Sequence, residues 1–209
     1  MNDDASRWNA RYRAQETPAS PDARVPSPAV PQALIRAAPY LPVDGTAIDL
    51  AGGNGGGALW MAERGLNAVL VEVSEVAIAQ ASALAASRSL ALQATEMDLA
   101  GADLGSVLER VASTTDSFPP VTVISCFHYL ERSLLASVNH GLPPGAVFTA
   151  AIATTTNLER NQRPSARFLL EPGELLNLVV GDSSLEVLRH REGWNESGQH
   201  EAELTIKRP

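Results

Sequence analysis

IDLAGGNGGGALWMAERG, residues 48–65, decides the fold. Six of its eighteen residues are glycine, and they lie between an apolar stretch, Ala47–Leu50, and a run of helical character, Ala58–Arg64, closed by Gly65. A strand that enters a helix through a glycine turn lets the backbone approach a ligand closely. Downstream the pattern repeats. Ala68–Glu72 (AVLVE) reads as a strand. Ser74 caps a helix over Glu75–Ser87, whose Ala77, Ile78, Ala81, Leu84 and Ala85 share one face. Strands follow at Leu90–Thr95, Val121–Cys126 and Ala146–Ala153, separated by helices at Leu104–Ala112 and Glu131–Asn139. This alternation predicts an α/β fold: a parallel sheet with helices on both faces. The end differs. After a helix over Glu174–Val180, with Pro172 near its start, the segments Leu185–Arg191 and Glu201–Lys207 are joined by REGWNESGQH (191–200) with no helix between them. They read as an antiparallel hairpin.

Upstream, residues 1 to about 17 suit a short helix with Trp8 and Tyr12 four apart. Residues 18–31 hold prolines at 18, 21, 26, 28 and 31 and read as an extended connector. A second helix is expected over 32–38, before Pro39. Residues 1–40 are therefore expected to form a helical, proline-rich lid segment of the same domain as residues 41–209.

The chain's 209 residues support one such domain and not two. A net charge of −8 without a basic stripe argues against a nucleic-acid partner. Lys207 is the only lysine against fifteen arginines, which reads as compositional bias. Cys126 is the only cysteine, so no internal disulfide forms. The N-terminus, with Asp3 and Asp4, lacks a secretory apolar core, and no apolar run approaches ~20 residues. A cytoplasmic protein without a membrane partner, monomeric or homodimeric, is expected. The histidines at 128, 140, 190 and 200 show no ligand spacing with the cysteine, so no metal is expected.

An open parallel sheet binds ligands beyond the carboxyl ends of its strands, where strand order reverses. Two readings of the glycine turn compete there. Gly53-Asn54-Gly55 followed by Ala58 matches the dinucleotide pattern G-x-G-x-x-A, with Glu72 nineteen residues after Gly53. An NAD(P)-dependent oxidoreductase follows from that reading. Asp49 favours the other: its carboxylate repels a pyrophosphate and suits a cationic ligand, such as a sulfonium carrying an amino group. Glu72 can then accept from ribose hydroxyls, and Asp98 can reach an adenine amino group.

The pieces W-N-A-R-Y (8–12), D-L-A-G-G-N-G-G-G-A-L-W-M-A-E-R-G (49–65), V-E-V-S (71–74), M-D-L (97–99), F-H-Y-L-E-R (127–132), L-P-P-G-A (142–146) and L-E-P-G-E-L (170–175) occur in one order across nearly the whole chain. In them the sequence resembles class I S-adenosylmethionine-dependent methyltransferases, in particular the small bacterial tellurite-resistance-type branch. The resemblance implies a Rossmann-like three-layer sandwich with a seven-stranded sheet in the order 3-2-1-4-5-7-6, strand 7 antiparallel. It implies S-adenosylmethionine as cofactor, and methyl transfer to a small acceptor: a thiol, a chalcogen oxyanion or another metabolite. The expected cofactor set is Asp49, Ala51, Gly52, Gly53, Asn54, Gly55, Glu72, Val73, Met97, Asp98, Leu99 and Cys126, with Arg11 and Tyr12 from the lid. The sequence departs from the family in having Gly53 where Cys is common, Glu72 where Asp is common, and P-P-G-A where P-G-G is usual. A non-catalytic binder of the same cofactor is the alternative of another class.

His128 and Tyr129 follow the fourth strand, facing where the methyl group should sit; they either shape the pocket through local hydrogen bonds or form the catalytic pair, His128 as a base where the acceptor must lose a proton. Trp8 is expected near the acceptor. Within TTTNLERNQRPSAR (154–167), Arg160, Arg163 and Arg167 can pair with an anionic acceptor, although a solvated loop is the simpler account of them. Trp60 is expected to pack on the sheet, and Cys126 is more simply a small buried hydrophobe than a ligand contact.

Overall fold

The computed structural model describes residues 3–15, 27–114, 118–181 and 184–209. Its centre is a seven-stranded sheet in the order β3-β2-β1-β4-β5-β7-β6. The strands are β1 (Thr46–Leu50), β2 (Asn67–Glu72), β3 (Leu92–Glu96), β4 (Val121–Phe127), β5 (Val147–Ala153), β6 (Glu186–Trp194) and β7 (His200–Lys207). The first five pair in parallel, and β7 runs antiparallel to both β5 and β6. The order implied by the resemblance and the hairpin read from the residues are both found.

Helices α1 (Asp3–Ala14), α2 (Gln32–Ala37), α3 (Gly56–Glu63), α4 (Glu75–Ser87), α5 (Leu104–Thr114), α6 (Arg132–Gly141) and α7 (Glu174–Val179) flank the sheet. The apolar strands β1 and β4 are buried on both faces, as strands covered by helices must be. One core layer joins Ile48, Leu50, Ile124 and Phe148 to residues of α5, α6 and α7; the opposite face packs Ala47, Val123 and Val147 against α2 and Met61 of α3. In α4 the small side chains Ala77, Ala81 and Ala85 are buried, and Ser74 accepts a bond from Ala77 N as the expected cap. Trp60 packs half-buried on the second layer, with the Arg64 guanidinium 4.7 Å from its ring.

Several boundaries shift for local reasons. Helix α3 begins at Gly56 instead of Ala58, because Gly55 takes a left-handed conformation (φ 86°) and ends the turn two residues early. Helix α6 begins at Arg132, and Glu131 caps it by accepting from Ser133 N. Strand β6 extends through Trp194. The hairpin turn is thus only residues 195–199, where the Asn195 side chain accepts from Ser197 N and Gln199 N. The loop after β5 contains two short 3-10 turns, Thr155–Glu159 and Ala166–Phe168. Helix α1 ends at Ala14, and Pro18, Pro21 and Pro26 of the expected connector lie outside the described residues.

Helix α2 has six residues, too few to be stable alone. It is held by burial of Ala33, Leu34 and Ala37 and by Arg36, whose guanidinium donates to both oxygens of Glu203 on β7 at 3.1 and 2.7 Å. Helix α1 docks on α4 through Asn9, which accepts from Ser74 Oγ at 2.6 Å, and through Arg13, which pairs with Glu75. Among the described residues no helix is long and apolar enough to cross a membrane.

Candidate functional site

At the carboxyl ends of β1, β2 and β4 lies a cavity of about 550 Å³. This is where strand order reverses, since the chain leaves β1 toward β2 and β3 and returns on the other side as β4. Its size falls in the range typical of small-molecule sites. The glycine turn forms its floor, residues 97–99 and 127–129 its walls, and α1 its roof.

Asp49 organises the floor. It is 2% exposed, and its carboxylate accepts from Ala58 N at 2.9 Å and from Ser125 Oγ of β4 at 2.7 Å. The first bond satisfies a free N–H at the start of α3, so the side chain also caps that helix. A Cβ on Gly52 or Gly57 would come within 2.6 or 2.7 Å of its Oδ2. Both glycines are therefore required by the buried acid. Burial pushes the Asp49 carboxyl up to about 6, against the bonds from Ser125 and Ala58, which lower it; the nearby Glu72 charge adds to the rise.

Glu72, at the end of β2, is 6% exposed and accepts three backbone bonds, from Gly53 N (3.0 Å), Val73 N (2.9 Å) and Ser74 N (3.0 Å). A carboxylate offers about four lone-pair positions, so roughly one is left for a ligand. Asp98 Oδ1 accepts from Ala100 N, which rigidifies the turn after β3.

Helix α1 reaches the floor through Tyr12. A Cβ at Gly53 (φ 58°) would lie 2.5 Å from the Tyr12 hydroxyl. Glycine at this position makes room for Tyr12 of α1. Burial, with the Glu72 charge, raises the Tyr12 phenol to about 12. Trp8 stacks on Tyr12 at 6.0 Å, and the Arg11 guanidinium lies 5.1 Å from the Trp8 ring. All three line the cavity.

On the far wall His128 and Tyr129 follow β4. His128 has φ 59°, uncommon for a residue with a side chain, and its N–H donates to Ala151 O at 2.8 Å. Ala51, across the cavity, also has positive φ. Burial raises the Tyr129 phenol, and the charges of Glu131 and Asp98 add to the effect, so the hydroxyl stays protonated at neutral pH and serves as a donor.

Of the residues singled out from sequence, the structure brings Trp8, Arg11, Tyr12, Asp49, Ala51, Gly52, Gly53, Asn54, Glu72, Val73, Met97, Asp98, Leu99, His128 and Tyr129 to one cavity. Five do not line it, among them Arg167, whose guanidinium lies 4.5 Å from the Phe168 ring. Gly55 sits behind the turn, where a Cβ would come within 2.8 Å of Ala81 on α4. Cys126 is buried in the core beneath, and burial pushes its thiol up to about 12. Arg160 lies over the Trp194 ring at 3.9 Å, held there by cation–π attraction. Arg163 precedes a cis proline, and its carbonyl accepts from Asn157 Nδ2. Sequence reading missed Asp4, Gln15, Ala29, Pro31, Gly56, Gly57 and Phe127, which join the lining from α1 and the residue after it, the segment before α2, the start of α3 and the end of β4. A hint lay in Gly56: the Ala29 carbonyl lies 2.2 Å from where its Cβ would be.

No protein-family model and no curated protein sequence matches the chain. Solved structures do match in fold. A protein described for conversion of a disulfide bond into a thioacetal group during echinomycin biosynthesis has a TM-score of 0.66 at 17% identity, covering 98% of this chain and 91% of its own. TehB from Haemophilus influenzae gives 0.62 at 15% identity over 86% of this chain and 63% of its own. The glycopeptide N-methyltransferase MtfA, solved with S-adenosyl-L-methionine, gives 0.58 at 17% identity over 92% of this chain and 100% of its own. The chain therefore has the Rossmann-like methyltransferase fold.

Proposed function

We propose that the protein binds S-adenosylmethionine in the cavity and transfers its methyl group to a small-molecule acceptor. The observation that carries this is the buried Asp49 carboxylate in the cavity floor, wrapped by Gly52 and Gly57. An anion beneath a glycine turn opposes a pyrophosphate and favours a cationic ligand. This sets aside the nicotinamide reading. The residues present fit the methyl donor: Asp49 faces its positive end, Glu72 keeps one lone pair for a ribose hydroxyl, and Asp98 with Met97 and Leu99 suits an adenine. For Glu72 to accept from both ribose hydroxyls, the Gly53 bond must open.

When bound, S-adenosylmethionine supplies an electrophilic methyl group on a sulfonium. The chain's own work is orientation and exclusion of water, which can be worth ~7–11 kcal/mol. The roof of Trp8 and Tyr12 covers the floor; His128 and Tyr129 border the acceptor side. The likeness in fold to the echinomycin-pathway protein and to the glycopeptide N-methyltransferase supports a small acceptor; the sequence resemblance adds thiols and chalcogen oxyanions as candidate classes.

Calorimetric titration with S-adenosylhomocysteine, and separately with NAD and NADP, tests the proposal. Saturable binding of the first alone is expected, with affinity reduced at least tenfold in Glu72→Ala. Nicotinamide binding in its place refutes it. Consumption of the methyl donor against an acceptor panel separates an enzyme from a non-catalytic binder.

A further inference from the structure

We propose that Glu201 is a positioning residue for His128, and that the pair makes His128 the acceptor of a proton at the cavity wall. This rests on the methyl-transfer reading above and adds to it a base and the residue that orients the base.

Glu201 lies on β7 opposite Ala153, away from every motif of the sequence. It is 3% exposed. Its Oε1 accepts from Asn195 Nδ2 at 2.6 Å and lies 3.9 Å from the Arg36 guanidinium. Its Oε2 is sealed from solvent and has no hydrogen-bond partner. A buried carboxylate oxygen without a donor is costly. The arginines nearby do not relieve it, because Glu203, two residues on, takes them: Arg36 at 2.7 Å, Arg191 at 3.0 Å and Arg189 at 3.7 Å. Oε2 faces His128 Nδ1 at 4.0 Å. A small rotation of the imidazole closes that gap to a hydrogen bond.

The backbone of His128 points the same way. Left-handed conformation at a residue with a side chain costs free energy and persists where the surroundings impose it, often at functional sites. Here the bond from His128 N to Ala151 O fixes it on the neighbouring strand, one that also pairs with the strand carrying Glu201.

The chemistry follows from the tautomer. A carboxylate oxygen at Nδ1 holds the proton there and leaves the Nε2 lone pair free. His128 lines the cavity, whereas Tyr129 beside it keeps its proton. As the acceptor's lone pair bonds to the methyl carbon, the carbon–sulfur bond breaks and its electron pair remains on sulfur. The acceptor's proton passes to Nε2, and Glu201 balances the imidazolium charge. Such a base serves an acceptor that arrives with its proton, as a hydroxyl does; an oxyanion has no need of it.

Histidine side-chain ¹⁵N NMR on the full chain at pH 8, with and without S-adenosylhomocysteine, tests this without knowing the acceptor. His128→Gln assigns the resonance among the four histidines. The expected wild-type result is a neutral imidazole protonated at Nδ1, with bare Nε2. In Glu201→Gln, where the amide directs an N–H at Nδ1, the protonated nitrogen becomes Nε2. Wild-type His128 protonated at Nε2 overturns the proposal, even if the variant fails to fold. An unchanged tautomer in a folded Glu201→Gln protein overturns it too. Failure of S-adenosylhomocysteine to bind, with the Nδ1–H tautomer present, refutes the cofactor reading and leaves the couple standing.

Discussion

Asp49→Asn should make the protein more stable while weakening its ligand site. The Asp49 carboxyl sits at about 6 in the folded chain against an ordinary 3.8, which disfavours its ionised form on folding by about 3 kcal/mol. The sign runs as linkage requires. The folded state holds this proton to higher pH than the unfolded chain does. Stability from this group is therefore greatest below about pH 4, falls as pH rises toward about 6, and stays low above that. An amide removes the charge and keeps the bonds. Its oxygen can accept from Ala58 N, and its NH₂ can donate to Ser125 Oγ, whose own hydrogen turns to Ile48 O at 3.5 Å. Allowing for imperfect fit, the gain at pH 8 is roughly 1–3 kcal/mol, or roughly 2–10 °C in Tm for a chain of this length. Urea unfolding of both proteins, followed by tryptophan fluorescence at several pH values from 8 to 5, measures it. The gap should be largest at pH 8 and narrow to roughly half by pH 5, and the variant should bind S-adenosylhomocysteine more weakly. A variant less stable at pH 8, or a gap independent of pH, would falsify the claim that the floor holds a costly charge for a ligand.

Three further outcomes are expected. Gly53→Ala should destabilise by about 1–3 kcal/mol, because it combines positive φ with a Cβ 2.5 Å from the Tyr12 hydroxyl. Tyr12→Phe in the same chain should recover part of that loss, since the next ring atom is 3.5 Å away; additive effects in a double-mutant cycle would show that the two do not touch. Arg160→Ala should leave S-adenosylhomocysteine affinity within twofold and cost about 0.5–1 kcal/mol, the worth of its place on Trp194; a large affinity loss would put that loop in the site. Cys126 should resist iodoacetamide in the native protein at pH 8 and react on unfolding, because burial holds its thiol up to about 12; fast native labelling would contradict its core position.

The sequence by itself determined the alternation of strands and helices, the C-terminal hairpin and most of the cavity floor. These are legible because they are local: Asp49, the glycines after it and Glu72 each sit at the end of a strand whose apolar period marks it. The resemblance supplied the strand order, which periodicity does not encode. Residues brought in from a distance were not legible. Ala29 and Pro31 reach the cavity from the segment just before α2, and Arg160 and Arg163 stay outside it because the loop after β5 packs on Trp194 and Asn157. Glu201 reads in sequence as one charge in an alternating strand, HEAELTIK. Only the antiparallel placement of β7 beside β5 buries its carboxylate, leaves one oxygen without a donor and sets that oxygen toward His128, which precedes it by seventy-three residues. A side chain's type and spacing are written in the chain; its desolvation and its partners are set by which distant strand lies alongside.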